Sequence, residues 1–156
     1  MNDVLDRTTL GQIQKNEIRV RDMDLARDVP MVSGWWTIHG FPVLPMGIFL
    51  PGLGFVAEQH GEAVAASWLF VANGTAGGIG LIEFTTTNPG ILSQRSHLAA
   101  VKALYVHLEA KALALKCSSV MSFVAVNGGE QHIMDKMGYE NVGKVPHHIY
   151  GKALCR

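Results

Sequence analysis

Apolar and polar positions alternate with two different periods along this chain, and the change between them lays out its elements. Residues 81–87 (LIEFTTT) are β-branched and apolar apart from Glu83, as a strand would be. Asn88-Pro89-Gly90 ends that run, because proline lacks an N–H and glycine frees the backbone. From Leu98 the apolar residues recur at Val101, Leu104, Tyr105, Leu108, Ala112 and Leu115, one face of a helix of 3.6-residue period. A second strand is predicted over 120–126, after Cys117-Ser118-Ser119, so the stretch 81–127 reads as strand, helix, strand. Ser93, Gln94, Arg95, Ser96 and His97 stand at the helix start. Uncommitted N–H groups, the helix dipole and an arginine together make a site for an anion there, most naturally phosphate.

The same patterning orders the rest of the chain. Residues 17–21 alternate charged and apolar, an edge-like first strand with Ile18 and Val20 on one face. Asp22 and Asp24 offer N-caps to a helix reaching about residue 38, within which Pro30 marks either a late start or a kink. A short helix is expected over 45–50, then strands over 54–58 and 63–72 joined by a polar turn. Asn73-Gly74 signals a hairpin into the glycine-dense run 77–80. That run is no G-x-G-x-x-G and precedes a strand, so it reads as a flexible hairpin, not a dinucleotide loop. A helix over 130–137, capped by Gly138, precedes two strands over 139–142 and 147–154. The expected order is β-α-α-β-β-β-α-β-α-β-β. Residues 1–16 read as an extension or arm and 17–156 as a single domain.

Composition narrows the classes. A chain of 156 residues with 48% hydrophobic content can bury a sound core. Thirteen basic and thirteen acidic residues cancel, which gives no field for nucleic acid. Two cysteines, Cys117 and Cys155, without metal or redox spacing fit a reducing, cytoplasmic compartment, and the start MNDVLDRTTL does not read as a signal peptide. Residues 29–57 and 63–82 carry no Lys, Arg, Asp or Glu. Pro42, Pro45, Pro51 and Asn73-Gly74 break them, so they predict buried strands and an apolar interface, a homodimer included, and no membrane span. The seven histidines form no metal set; His147-His148, on one strand, point to opposite faces. No Ser-His-Asp or Cys-His arrangement can be argued either.

Gln94-Arg95-Ser96-His97-Leu98-Ala99 resembles the pyrophosphate-binding signature Q/R-x-x-G-x-G/A of GCN5-related N-acetyltransferases, with His97 where glycine is usual. The Asn-Pro pair before it and the passage NGGEQHIMDKMGYENVG, which begins at Asn127, are similar to that family's junctions on either side. The resemblance implies an α/β (α+β) fold: a central, mixed but mostly antiparallel twisted sheet with helices on both faces. It implies acetyl-CoA as co-substrate and a primary amine, of a small molecule or a protein, as acceptor. It places the diphosphate on Gln94, Arg95, Ser96, His97, Leu98 and Ala99, and the pantetheine arm along Thr85, Thr86 and Thr87, with Asn127 beyond. Histidine at 97 fits if its ring turns away from the phosphates or contacts them; otherwise the site has been lost.

Glu83 is the candidate general base. It is the sole carboxylate between Glu62 and Glu109, and it stands eleven residues before Gln94, like the glutamate base of histone-type members. Burial would lift its pKa toward neutrality; the plain alternative is a glutamate on a half-exposed strand. Met134 occupies the place of the family's tyrosine acid and cannot donate a proton, while Tyr139 reads as core. Trp35, Trp36, His39 and Phe41 either line the acceptor side, pack in the core or form a partner surface. Two functions are open: an acetyl-CoA-dependent N-acyltransferase working by direct attack, or a non-catalytic binding module of the same fold.

Overall fold

The structure is a computed structural model, and it describes residues 17–73, 77–125, 129–144 and 147–153. Among the described residues seven strands form one sheet: β1 (Ile18–Asp22), β2 (Gly54–Gln59), β3 (Glu62–Ala72), β4 (Gly78–Thr87), β5 (Cys117–Ala125), β6 (Glu140–Lys144) and β7 (His147–Ala153). The same residues form three α-helices, α1 (Leu25–His39), α2 (Gln94–Ala114) and α3 (Gly129–Lys136), and a 3₁₀ turn at Met46–Ile48. The strand order is β1-β2-β3-β4-β5-β7-β6. Every neighbouring pair is antiparallel except β4 with β5. Parallel neighbours need a long crossover, and α2 supplies it. The expected α/β architecture and element order hold. The second expected helix is the 3₁₀ turn, and β5 begins three residues early, at Cys117.

Helix α2 buries Ala100, Val101, Leu104, Tyr105, Leu108 and Ala112, the stripe its periodicity predicts. Leu115 departs from that stripe: it caps the helix and is 43% exposed. The helix lies on one face of the sheet, over Phe55, Ala65, Leu69, Ile82 and Val120, with Ile133, Met134 and Tyr139 closing the same core. Helix α1 covers the other face, where Val29, Val32, Trp35 and Trp36 meet Val56, Ala66 and Trp68. Adjacent residues of a strand serve opposite cores, as the two-residue period requires.

The sequence leaves the start of α1 ambiguous, and its N-cap decides the matter. Asp24 accepts from the N–H groups of Ala26 and Arg27, at 3.1 and 3.4 Å, so the helix begins at Leu25 and continues through Pro30. Asp28, 1% exposed, ties this end to β1: it accepts from Arg21 at 2.6 Å, from Arg27 at 2.9 Å and from the Asp24 N–H at 2.9 Å. Arg21 also holds Glu58 of β2. Burial alone would raise the Asp28 pKa, but the hydrogen bonds from the two arginines and the backbone win, and it is lowered from 3.8 to about 2.

Two irregularities in β4 set the geometry around its end. Its register with β3 passes from Ala66↔Thr86 to Trp68↔Glu83, which gives β4 one extra residue. Phe84, at φ 56°, absorbs that bulge. Pairing with β5 stops at Ile82↔Ser122, although β4 runs on to Thr87 and β5 to Ala125. The two strands therefore splay.

Candidate functional site

A cavity of about 340 Å³ opens where β4 and β5 part. Trp36, Phe41, Leu44, Glu83 and Phe84 line it from the side of α1, and Ile82, Tyr105 and Ser122 from the side of α2. A continuous sheet would separate those two sets. The splay joins them, so the cavity passes between the strands and reaches both cores.

Glu83 is the first β4 residue beyond the last β4–β5 pair. It sits opposite Trp68, is half-buried, and its Oε1 is shielded from solvent. The Glu83 carbonyl accepts from the Ser67 hydroxyl at 3.3 Å, and Ser67 is bonded in turn to the Thr85 hydroxyl at 2.8 Å. This anchors the bulge beneath the cavity. Thr85 lines the cavity and Thr86 is buried, while the Thr87 carbonyl accepts from His39 Nε2 at 2.9 Å. That bond fastens the end of α1 to the end of β4.

The start of α2 is more tightly capped than the phosphate expectation assumes. Ser93 is the N-cap and its hydroxyl accepts from the Ser96 N–H at 3.2 Å. The His97 N–H bonds the Ser93 carbonyl at 3.1 Å, already inside the helical ladder. Helix geometry directs the N–H groups of Leu98 and Ala99 the same way. The backbone donors facing outward are those of Gln94 and Arg95, whose side chains are exposed. Within the stretch Gln94 to Ala99 that the resemblance assigns to a diphosphate, the Ser96 and His97 N–H groups are thus already taken by Ser93. The His97 ring folds back, with Nε2 3.1 Å from the Asn88 carbonyl. Asn88 itself braces the junction, donating to the Ala63 carbonyl and accepting from the Gly90 N–H, each at 2.9 Å.

Of the four acceptor-side candidates, Trp36 and Phe41 reach the cavity. Trp35 does not: one residue turns a helix by about 100°, and Trp35 is buried in the core under α1. His39 is exposed and acts through Thr87. Asn127 lies outside the described residues. Met134 is fully buried, and Tyr139 is core as expected. Burial first, and then the neighbouring Glu109 carboxylate, push the Tyr139 hydroxyl well above its ordinary range.

Sequence reasoning missed Tyr105 and Ser122. Their hydroxyls are 2.8 Å apart, both residues are buried, and both line the cavity. Tyr105 was visible as the one polar-tipped side chain of an apolar stripe, and Ser122 as a hydroxyl inside an apolar strand. Phe84 and Phe123 were missed as well, since only the bulge and the splay bring them to the cavity.

Comparison of the sequence with family models and with curated proteins gives no match. Comparison of the fold gives many. Ard1 from Thermoplasma volcanium aligns at TM-score 0.69 and 11% identity, over 89% of this chain and 99% of that one. Arabidopsis thaliana Naa50, in complex with a bisubstrate analogue, aligns at 0.66 and 11%, over 88% and 99%. The N-acetylglutamate synthase of Neisseria gonorrhoeae, complexed with coenzyme A and L-arginine, aligns at 0.65 and 15% over 89% of this chain. The chain spans only 34% of that synthase. The architecture is the GCN5-related N-acetyltransferase fold.

Proposed function

We propose that the chain is an acetyl-CoA-dependent N-acyltransferase that moves an acetyl group to a primary amine by direct attack. The observation that carries this is the splay: β4 and β5 part after Ile82↔Ser122, and a carboxylate, Glu83, is the next residue on β4. The unshared edge of β4 past Ile82 offers backbone groups to the amides of a pantetheine arm, and the cavity gives a thioester a place beside Glu83. At the α2 start, the Gln94 and Arg95 N–H groups with the Arg95 guanidinium suit a diphosphate. The Ser93 cap and the folded-back His97 make this end lean, so we assign Arg95 the larger share of it. Ser96, Leu98 and Ala99 then shape the helix start, and Thr85, Thr86 and Thr87 flank the arm.

When bound, acetyl-CoA supplies the activated acyl carbon. Glu83 takes the proton of the incoming ammonium, directly or through water, from a position shielded from bulk solvent. Trp36 and Phe41 hold the acceptor, with Phe84 forming the wall between them and the bulge. Among the described residues lining the cavity no cationic side chain is present, which favours acceptors without a carboxylate beside the amine. The buried free thiol of Cys117 is consistent with a reducing, cytoplasmic setting.

A second reading has its own observation. Ile38, Phe41, Val43, Met46 and Leu50 are 49–70% exposed in the segment 38–50 that also sends Phe41 and Leu44 to the cavity, apolar surface that would suit a protein partner or a second copy of a non-catalytic module. Thermal shift with acetyl-CoA, CoA and ATP separates the two. Binding at about 100 times Kd stabilises by about 2.7 kcal/mol, or roughly 5–10 °C for a domain of this size. Glu83→Gln should then lower kcat about 10²–10⁴-fold and leave acetyl-CoA affinity within about twofold. Absence of any shift with both coenzyme A forms would sink the enzyme reading.

A further inference from the structure

We infer that the buried hydroxyl pair of Tyr105 and Ser122 delivers the proton to the sulfur that leaves during acyl transfer. This rests on the acyltransferase reading, which requires a proton at that sulfur and finds Met134 where a donor is expected. Helix α2 and strand β5 bring the two hydroxyls within 2.8 Å of one another. Ser122 is the last β5 residue paired with β4, at the point where the strands part, one residue short of Glu83 on the neighbouring strand. The base candidate and the hydroxyl pair therefore flank the same opening, from opposite faces of the sheet.

A serine hydroxyl has one proton to give and two lone pairs to receive with. If Tyr105 donates to Ser122, the Ser122 proton is directed into the cavity it lines. In the reaction the amine nitrogen forms a bond to the thioester carbonyl carbon, and the C–S bond breaks with its electron pair on sulfur. Ser122 gives its proton to sulfur and Tyr105 reprotonates Ser122. Glu83 has by then released the ammonium proton to solvent, so the further proton that nitrogen sheds on attack passes through Glu83 or water and restores Tyr105. Counted from the neutral amine, nitrogen loses one proton and sulfur gains one, so no outside acid is consumed. An ordinary phenol lies about one and a half pKa units above a thiol, close enough for a hydrogen bond that strengthens as charge gathers on sulfur. Ser122 is thus the group that touches sulfur, and Tyr105 is a positioning residue that acts through it.

Two variants and two thioesters test this. Tyr105→Phe keeps the ring against Tyr139, whose centroid lies 6.0 Å away, and Ser122→Ala removes only the hydroxyl; melting curves establish that each is folded. With acetyl-CoA, each should lower kcat by about 10²-fold or more with KM within about threefold. With the acetyl ester of an acidic arenethiol, whose thiolate leaves unprotonated, the loss should shrink to less than about threefold. The wild type should also bind CoA more tightly than desulfo-CoA, and either variant should erase most of that preference. Equal losses with both thioesters, or an unchanged preference for CoA, would overturn the proposal and leave the acyltransferase reading standing. A wild type that binds neither coenzyme A nor its desulfo analogue would overturn both.

Discussion

Acid should loosen the end of α1 before it unfolds anything else, and Asp28 is the reason. Asp28 is 1% exposed, its carboxyl receives both Arg21 and Arg27, and its pKa is lowered from 3.8 to about 2. A depressed carboxylate contributes its stability above the unfolded pKa and loses it as pH falls through the folded value. The window here is from about pH 5 down to pH 2. Each pKa unit is about 1.4 kcal/mol, so a depression of nearly two units is worth about 2 kcal/mol at neutral pH. Urea unfolding at intervals between pH 7 and pH 2.5 should show that loss in the wild type. Asp28→Asn should be less stable by about 2–3 kcal/mol at pH 7, since Arg21 loses one of its two carboxylate partners and keeps Glu58, and it should lack most of the acid dependence. Parallel pH curves for the two proteins would refute the argument, because the titrating group would then lie elsewhere. The consequence reaches the site: α1 carries Trp36 and His39, so cavity geometry and α1 docking should be lost together.

Other substitutions test the packing and the acceptor wall. At Gly54 a Cβ would stand 2.6 Å from Trp68 Nε1, and the indole is held in the aromatic core, so Gly54→Ala should cost about 1–3 kcal/mol in urea unfolding. Phe41 is 57% exposed, so Phe41→Ala should leave the melting temperature within about 2 °C and raise the acceptor KM several-fold; an unchanged KM would remove it from the acceptor wall. Arg95→Ala should weaken acetyl-CoA about tenfold in calorimetry, with a smaller effect at high salt. If His97→Gly weakens binding more than Arg95→Ala does, the folded-back ring is a phosphate ligand after all.

Much of the candidate site could be read in advance because its parts announce themselves locally. Glu83 stands out as a lone carboxylate in an apolar strand, and the Ser93-to-Ala99 run as a helix start. Trp35 and Trp36 could not be separated without knowing how far α1 turns against the sheet. Tyr105 looked like any other member of its stripe, since the periodicity that predicts burial is blind to a hydroxyl partner 17 residues away. Which N–H groups stay open at the α2 start was equally hidden, because it depends on which donor the Ser93 side chain captures.

By itself the sequence determined the elements and their order. Helical and strand periods and the Asn-Pro-Gly break are short-range effects, decided among residues a few positions apart. Tertiary structure alone decided the register of β4: one residue inserted against β3 at Phe84, and a partner in β5 that lets go after Ser122. No local pattern encodes either event, because both balance pairings between segments distant in the chain. The cavity exists only through them. A sheet paired to its ends would have kept Glu83 on one face and the Tyr105–Ser122 pair on the other.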